Sequence, residues 1–225
     1  MDNSNKEILP VSTPQETAIE IVAALASVVP WIGGPVSTVL AGISFARKYE
    51  RVREVLVNMA EQIKNFESEV SRKYVATADF QDLLEKTLRQ AADERAEEKR
   101  KAYATFLAND IKSPGQSYDE KIRILRTLEE IQVDHIRMLK ALLQDPDRNI
   151  GGMIGSVSQT LQKRLPDIPT DRIADLAQQL KDMRLVNFGN LNTMMTATGA
   201  EELQHTVTPY GRKFIQYILG SSSEK

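Results

Sequence analysis

The sequence predicts a mainly α protein, an N-terminal helical bundle holding a hydrophobic helical hairpin, followed by a smaller C-terminal module with a small β-hairpin. Residues 21–46 contain no charged side chain, in a chain that is 27% charged overall. From there Phe45, Tyr49, Val52, Leu56, Met59, Ile63, Phe66 and Val70 recur at alternating spacings of four and three, a seam along which one long helix packs lengthwise on others. Period-two alternation is absent over any useful length, and only after Asn149 does the composition shift toward glycine, proline and short apolar runs.

The uncharged stretch is cut by Pro30, Trp31, Ile32, Gly33, Gly34 and Pro35. Pro30 lacks a backbone donor and disfavours helix in the residue before it, while the glycines permit turn dihedrals. Pro35 has its φ preset for a first helical turn. Two arms follow, residues 17–29 and a helix from Val36 onward that the periodicity carries to about Lys73. At 1.5 Å per residue the first arm reaches only about 20 Å, short of the roughly 30 Å of bilayer hydrocarbon. A small-to-polar stripe on the second arm, Ser37, Ala41, Ser44, Lys48 and Arg51, suits a half-exposed bundle helix better than a lipid-facing one. The hairpin therefore reads as core, with membrane insertion as the alternative.

Composition bounds the rest. The chain has 225 residues with 41% hydrophobic content, enough for one large or two smaller domains. Its 29 basic and 31 acidic residues leave a net charge of −2, so no global positive field attracts nucleic acid or anionic lipid. The absence of cysteine excludes disulfides, thiolate catalysis and cysteine-ligated metals. The polar start lacks the basic region and apolar core of a signal peptide, which predicts a cytoplasmic location.

Residues 1–14 and 221–225 read as flexible tails, 15–132 as the bundle and 133–220 as the C-terminal module. A break near Thr77 precedes a helix with Phe80, Leu83, Leu84, Leu88 and Ala91 inward. Residues 93–101 are charged on all sides with mixed signs at i,i+4, the mark of an exposed helical section. Ser113, Pro114 and Gly115 form the clearest loop. Beyond it lie a helix over Tyr118–Glu130, with Ile122, Leu125, Leu128 and Ile131 inward, and another that Asp134 caps and Asp145-Pro146 ends. A helix over 157–165 and one over 171–184, capped by Thr170, come next. Residues 185–188 and 204–208 are short enough for hairpin strands around a long polar tip, and a closing helix carries Phe214, Ile215, Ile218 and Leu219.

The order helix, helix, helix, hairpin, closing helix over residues 134–219 resembles a winged-helix domain, down to the turn from Thr208 to Gly211 before the last helix. With the N-terminal hairpin in front, and with Ala102, Tyr103, Phe106, Leu107, Ala108, Asn109, Thr208, Gly211 and Phe214 as matching positions, the chain resembles the bacterial abortive-infection alpha family of phage-defence proteins. Members often carry tryptophan where Tyr103 stands. These are packing residues, so the resemblance implies a fold and a defence context and transfers no active site.

No catalytic, cofactor-binding or metal-ligating residue is predicted. Glu202 and His205 have the spacing of half a di-iron site, but His135 is preceded at that spacing by Gln132 and supplies no second half. Residues 151–156 open a helix with three glycines yet lack the Lys-Ser/Thr of a phosphate loop. The candidate recognition helix offers Arg172, Gln178, Gln179, Lys181 and Arg184 to a nucleic acid or a protein partner. Its three bases face three acids, Asp171, Asp175 and Asp182, whereas DNA readers carry uncompensated cations. The sequence thus predicts a non-enzyme that contacts a protein partner or a second copy of itself. A membrane-perturbing effector and a DNA-binding regulator are the alternatives.

Overall fold

The computed structural model describes residues 33–43, 46–64, 69–144, 155–189, 191, 194–195 and 202–220. The protein is mainly α-helical. Its contacts divide it into two compact units, Met1–Glu94 and Arg95–Lys225.

The first unit contains α1 (Gly33–Ala41), α2 (Ala46–Ile63), α3 (Glu69–Val75) and α4 (Ala78–Asp93). The long helix expected from Val36 to Lys73 is divided. Tight turns from the Val39 carbonyl to the Gly42 amide and from the Leu40 carbonyl to the Ile43 amide, each 3.1 Å, close α1 where glycine weakens the helix. Tyr49, Val52, Leu56, Met59 and Ile63 are buried along α2, joined by Val55. Facing them, α4 buries Phe80, Leu83, Leu84, Leu88 and Ala91, so two amphipathic stripes close on each other. Thr77 caps α4 by accepting from the Phe80 amide, and Tyr74 meets Phe80 edge-on at 5.3 Å between ring centres. At the other end the Arg51 guanidinium donates to the Ala92 carbonyl at 3.0 Å, satisfying one of the carbonyls a helix end leaves open.

Residues 93–101 do not form one exposed helix. The chain leaves the helical conformation at Glu94, whose amide bonds back to Gln90 and Ala91, and re-enters after Ala96. No proline or glycine marks this break.

The second unit begins with α5 (Glu97–Lys112), followed by α6 (Tyr118–Glu130) and α7 (Val133–Leu143). Then come β1 (Gly155–Ser156), α8 (Val157–Arg164), α9 (Thr170–Asp182), β2 (Met194–Met195), a 3-10 turn (Glu202–Thr206) and α10 (Pro209–Leu219). The division falls at Glu94/Arg95, against the expected 132/133, because α10 packs chiefly along α5 and also meets α6. Ala102, Tyr103, Phe106, Leu107 and Ala108 are buried on α5, as are Phe214, Ile215, Tyr217 and Ile218 on α10. On α6 it is Ile124, not Ile122, that lies fully inside with Leu125 and Leu128.

The expected strand pairing is reduced to a bridge. Val186 pairs antiparallel with Val207, flanked by bonds from the Asn187 amide to Thr206 and from the Thr208 amide to Leu185. Residues 202–206 coil as a 3-10 turn instead of extending. A second antiparallel pair joins β1 to β2, Gly155 opposite Met195 and Ser156 opposite Met194, and draws part of what reads in sequence as a polar tip onto the segment before α8.

Candidate functional site

The outer face of α9 is the candidate. The helix starts at Thr170 after Pro169, buries Ile173, Leu176, Ala177 and Leu180, and ends in a glycine-type cap without glycine. The Leu185 amide reaches the Leu180 carbonyl and the Arg184 amide the Lys181 carbonyl, both at 2.9 Å. Arg184 takes φ 60° to allow this, a left-handed conformation that costs a side-chain-bearing residue about 1–2 kcal/mol. Its carbonyl accepts from the Thr208 hydroxyl at 2.7 Å, which ties the end of α9 to the start of α10.

Two of the five predicted contact residues are bonded to side chains at the start of α7. Arg172 donates to the Gln132 side chain, and Gln179 meets His135 Nε2 at 2.7 Å from its Oε1. His135 is 1% exposed, and its Nδ1 accepts from the Gln132 amide at 2.9 Å. That bond fixes the tautomer: Nδ1 is the acceptor, so Nε2 carries the hydrogen and donates to Gln179. Burial, with the charges of Arg172 and Lys99 behind it, pushes the imidazole below its usual range, so it stays neutral. His135 and Gln132 form a capping box for α7 made of residue types that the Ser/Thr-x-x-Glu signature does not include, and Asp134 is not the cap.

Left on the outside of α9 are Asp171, Ala174, Asp175, Gln178, Lys181 and Asp182, all exposed. Three carboxylates stand there against one ammonium, with the exposed Arg184 just past the helix end. Gln178 donates to Asp182 at 2.8 Å. Beside this face Ala174, Ala177, Gln178, Lys181, Phe188, Gly189 and Leu191 line a shallow cavity of about 270 Å³.

The hairpin residues are only partly placed. Pro30, Trp31 and Ile32 lie outside the described residues, as do Phe45 and Phe66 of the seam. Gly33, Gly34 and Pro35 form the first turn of α1, and Val70 lies in α3. On α1 itself Val36, Val39 and Leu40 are buried while Ser37, Thr38 and Ala41 are exposed, a two-sided helix. Among the described residues no helix is long and apolar enough to cross a membrane. His205 is exposed in the 3-10 turn, and among the described residues no three His, Asp or Glu side chains gather as metal ligands.

Sequence reasoning missed a buried charge pair. Lys121 Nζ lies 2.8 Å from Asp110 Oδ1, with the side chains 3% and 0% exposed. The ammonium also donates to the Pro114 carbonyl at 3.2 Å, holding the loop between α5 and α6. Nearby, the Tyr217 hydroxyl is buried with no hydrogen-bond partner among the described residues, and its pKa is pushed up to about 12 by burial first and the Asp110 charge second. Charge at helical spacing looks the same in sequence whether it faces water or a buried counter-ion. Neither His135 nor this trio lines the α9 cavity, and Asn109, one of the matching positions, spends its amide on the last carbonyls of α10, at 3.0 Å to Gln216 and 3.1 Å to Tyr217. Compared with family models, curated proteins and solved structures, the chain matches none of them.

Proposed function

We infer that this chain is a non-enzymatic interaction protein whose C-terminal unit is a winged-helix-like module that contacts protein instead of DNA. The order α7, β1, α8, α9, Val186, β2, Val207, α10 supports the winged-helix-like reading. The observation that carries the functional reading is the exposed face of α9, where three carboxylates oppose one lysine. Duplex DNA is bound by neutralising phosphates with Lys and Arg, and a face of net negative charge repels it. Arg172 and Gln179, the residues best suited to base or phosphate contact, are committed to Gln132 and His135. The resemblance to the abortive-infection alpha family, carried by positions on α5, at Thr208 and on α10, is what supports reading the chain as a component or effector of a bacterial defence system.

Titration of random-sequence and genomic duplexes near 150 mM salt tests the reading. The expected outcome is affinity no tighter than the non-specific range of about 10⁻⁴–10⁻⁶ M. Binding tighter than about 10⁻⁷ M would overturn it in favour of a DNA-binding regulator.

A further inference from the structure

Four residues close a hydrogen-bonded circuit between the start of α7 and α9. The Gln132 amide donates to His135 Nδ1 at 2.9 Å, and His135 Nε2 donates to Gln179 Oε1 at 2.7 Å. Arg172 completes it by donating to Gln132 Oε1. Arg172 and Gln179 stand about two helical turns apart on α9, so they share a face and hold it to α7 at two points. His135 is the member whose charge changes near neutral pH. Its place in the circuit requires the neutral ring, because a proton on Nδ1 sets two donors against each other and puts a charge on a side chain that is 1% exposed. Little stands ready to balance that charge. Arg172 of α9 and Lys99 of α5 oppose it, and Asp134, the acid that favours it, already pairs with Arg137 at 3.3 Å. From α8 and the 3-10 turn, Arg164 and Gln204 reach the far end of α7 instead, at the carbonyls of Ala141, Leu143 and Gln144.

We propose that this circuit is a pH-sensitive latch: protonation of His135 parts the start of α7 from α9 while the rest of the second unit stays folded. The residues that lock α5 to α10, Phe106, Phe214 and Tyr217, take no part in the circuit, so the parting is local. Once parted, the imidazole meets water and titrates near its ordinary value of about 6.5. The latched ring titrates lower, so acid favours the open form, by up to about tenfold between pH 7.5 and 5.5. Opening releases Arg172 and Gln179, the two polar side chains that α9 otherwise spends on α7. The latch rests on this geometry alone and holds whichever partner α9 contacts.

Native-state hydrogen exchange of the full chain at pH 7.5 and 5.5, corrected for intrinsic rates and run with and without urea below the unfolding transition, tests it. Amides of residues 136–139 and 173–180 should lose up to about tenfold in protection on acidification. Their opening exposes little surface, so low urea should hardly accelerate it, whereas α5 and α10 should stay better protected and respond steeply to urea. His135→Gln, neutral at both pH values, should remove the pH difference. If that variant does not fold, nitrogen-15 spectra of the wild-type imidazole decide: hydrogen on Nε2 at pH 7.5 is expected, and hydrogen on Nδ1 would overturn the latch. Equal protection and equal urea response in all four helices would overturn it too, by making the pH effect one of global stability alone. So would exchange in α7 and α9 that does not change with pH.

Discussion

Three positions, a buried charge pair and a glycine, carry more of the second unit than their neighbours do. Lys121 and Asp110 are both out of water, so each is tolerated only because the other is there. Lys121→Met leaves the carboxylate buried and uncompensated, which costs about 3–5 kcal/mol. Urea melts should show that loss, and the double substitution Asp110→Leu/Lys121→Met should recover much of it, since a buried pair and a well-packed apolar pair are often comparable. A double variant as unstable as the single one would contradict this view of the pair. Gly211 is the third position. A Cβ there would lie 2.0 Å from the Leu185 carbonyl oxygen, where the start of α10 crosses the end of α9. Gly211→Ala must push those backbones apart, an overpacking cost of about 1–3 kcal/mol readable as a lower unfolding midpoint. An unchanged midpoint would contradict a close approach of these backbones at Gly211.

Helices show where local pattern suffices and where it fails. Tyr118–Glu130 has the predicted bounds because Ser117 caps it through its side chain and its apolar face is flanked by charge. The break after Asp93 was not legible, because it is made by the Glu94 amide turning back and by Arg51, distant in sequence, capping Ala92. The α9 core face was legible from its period, yet the destination of Gln179 was not, since a glutamine reads alike whether it meets solvent or a buried histidine. That histidine gives the elements around it a pH dependence. The folded imidazole titrates below the unfolded value of about 6.5, so its contribution is complete above that pH. As pH falls below about 6.5 the unfolded chain takes up the proton first, and stability declines until the folded value is passed. Protonation puts a hydrogen on Nδ1 against the Gln132 amide and undoes the start of α7. Urea midpoints between pH 7.5 and 5.5 should therefore fall for the wild type, while His135→Gln, less stable at pH 7.5, should stay flat. Equal slopes would remove His135 from the account.

At the scale of the whole molecule, division into two units at Glu94/Arg95 puts α5 and α6 with the C-terminal elements. The sequence places the boundary later because the apolar period runs through α5 and α6 without a proline or glycine linker at residue 95, and partner choice between helices is not written in a helix's own period. The proposed protein-binding role rests on α9 presenting acids outward while Arg172 is bonded to Gln132 and Arg184 lies past the helix end. Placing a photo-reactive benzoylphenylalanine at Gln178, and at the exposed Arg126 of α6 as a comparison, reads this face in the native cell. The account predicts adducts from position 178 that contain a second polypeptide and resist nuclease, with few or none from position 126. Nuclease-sensitive adducts at 178, or the same adducts from both positions, would contradict it.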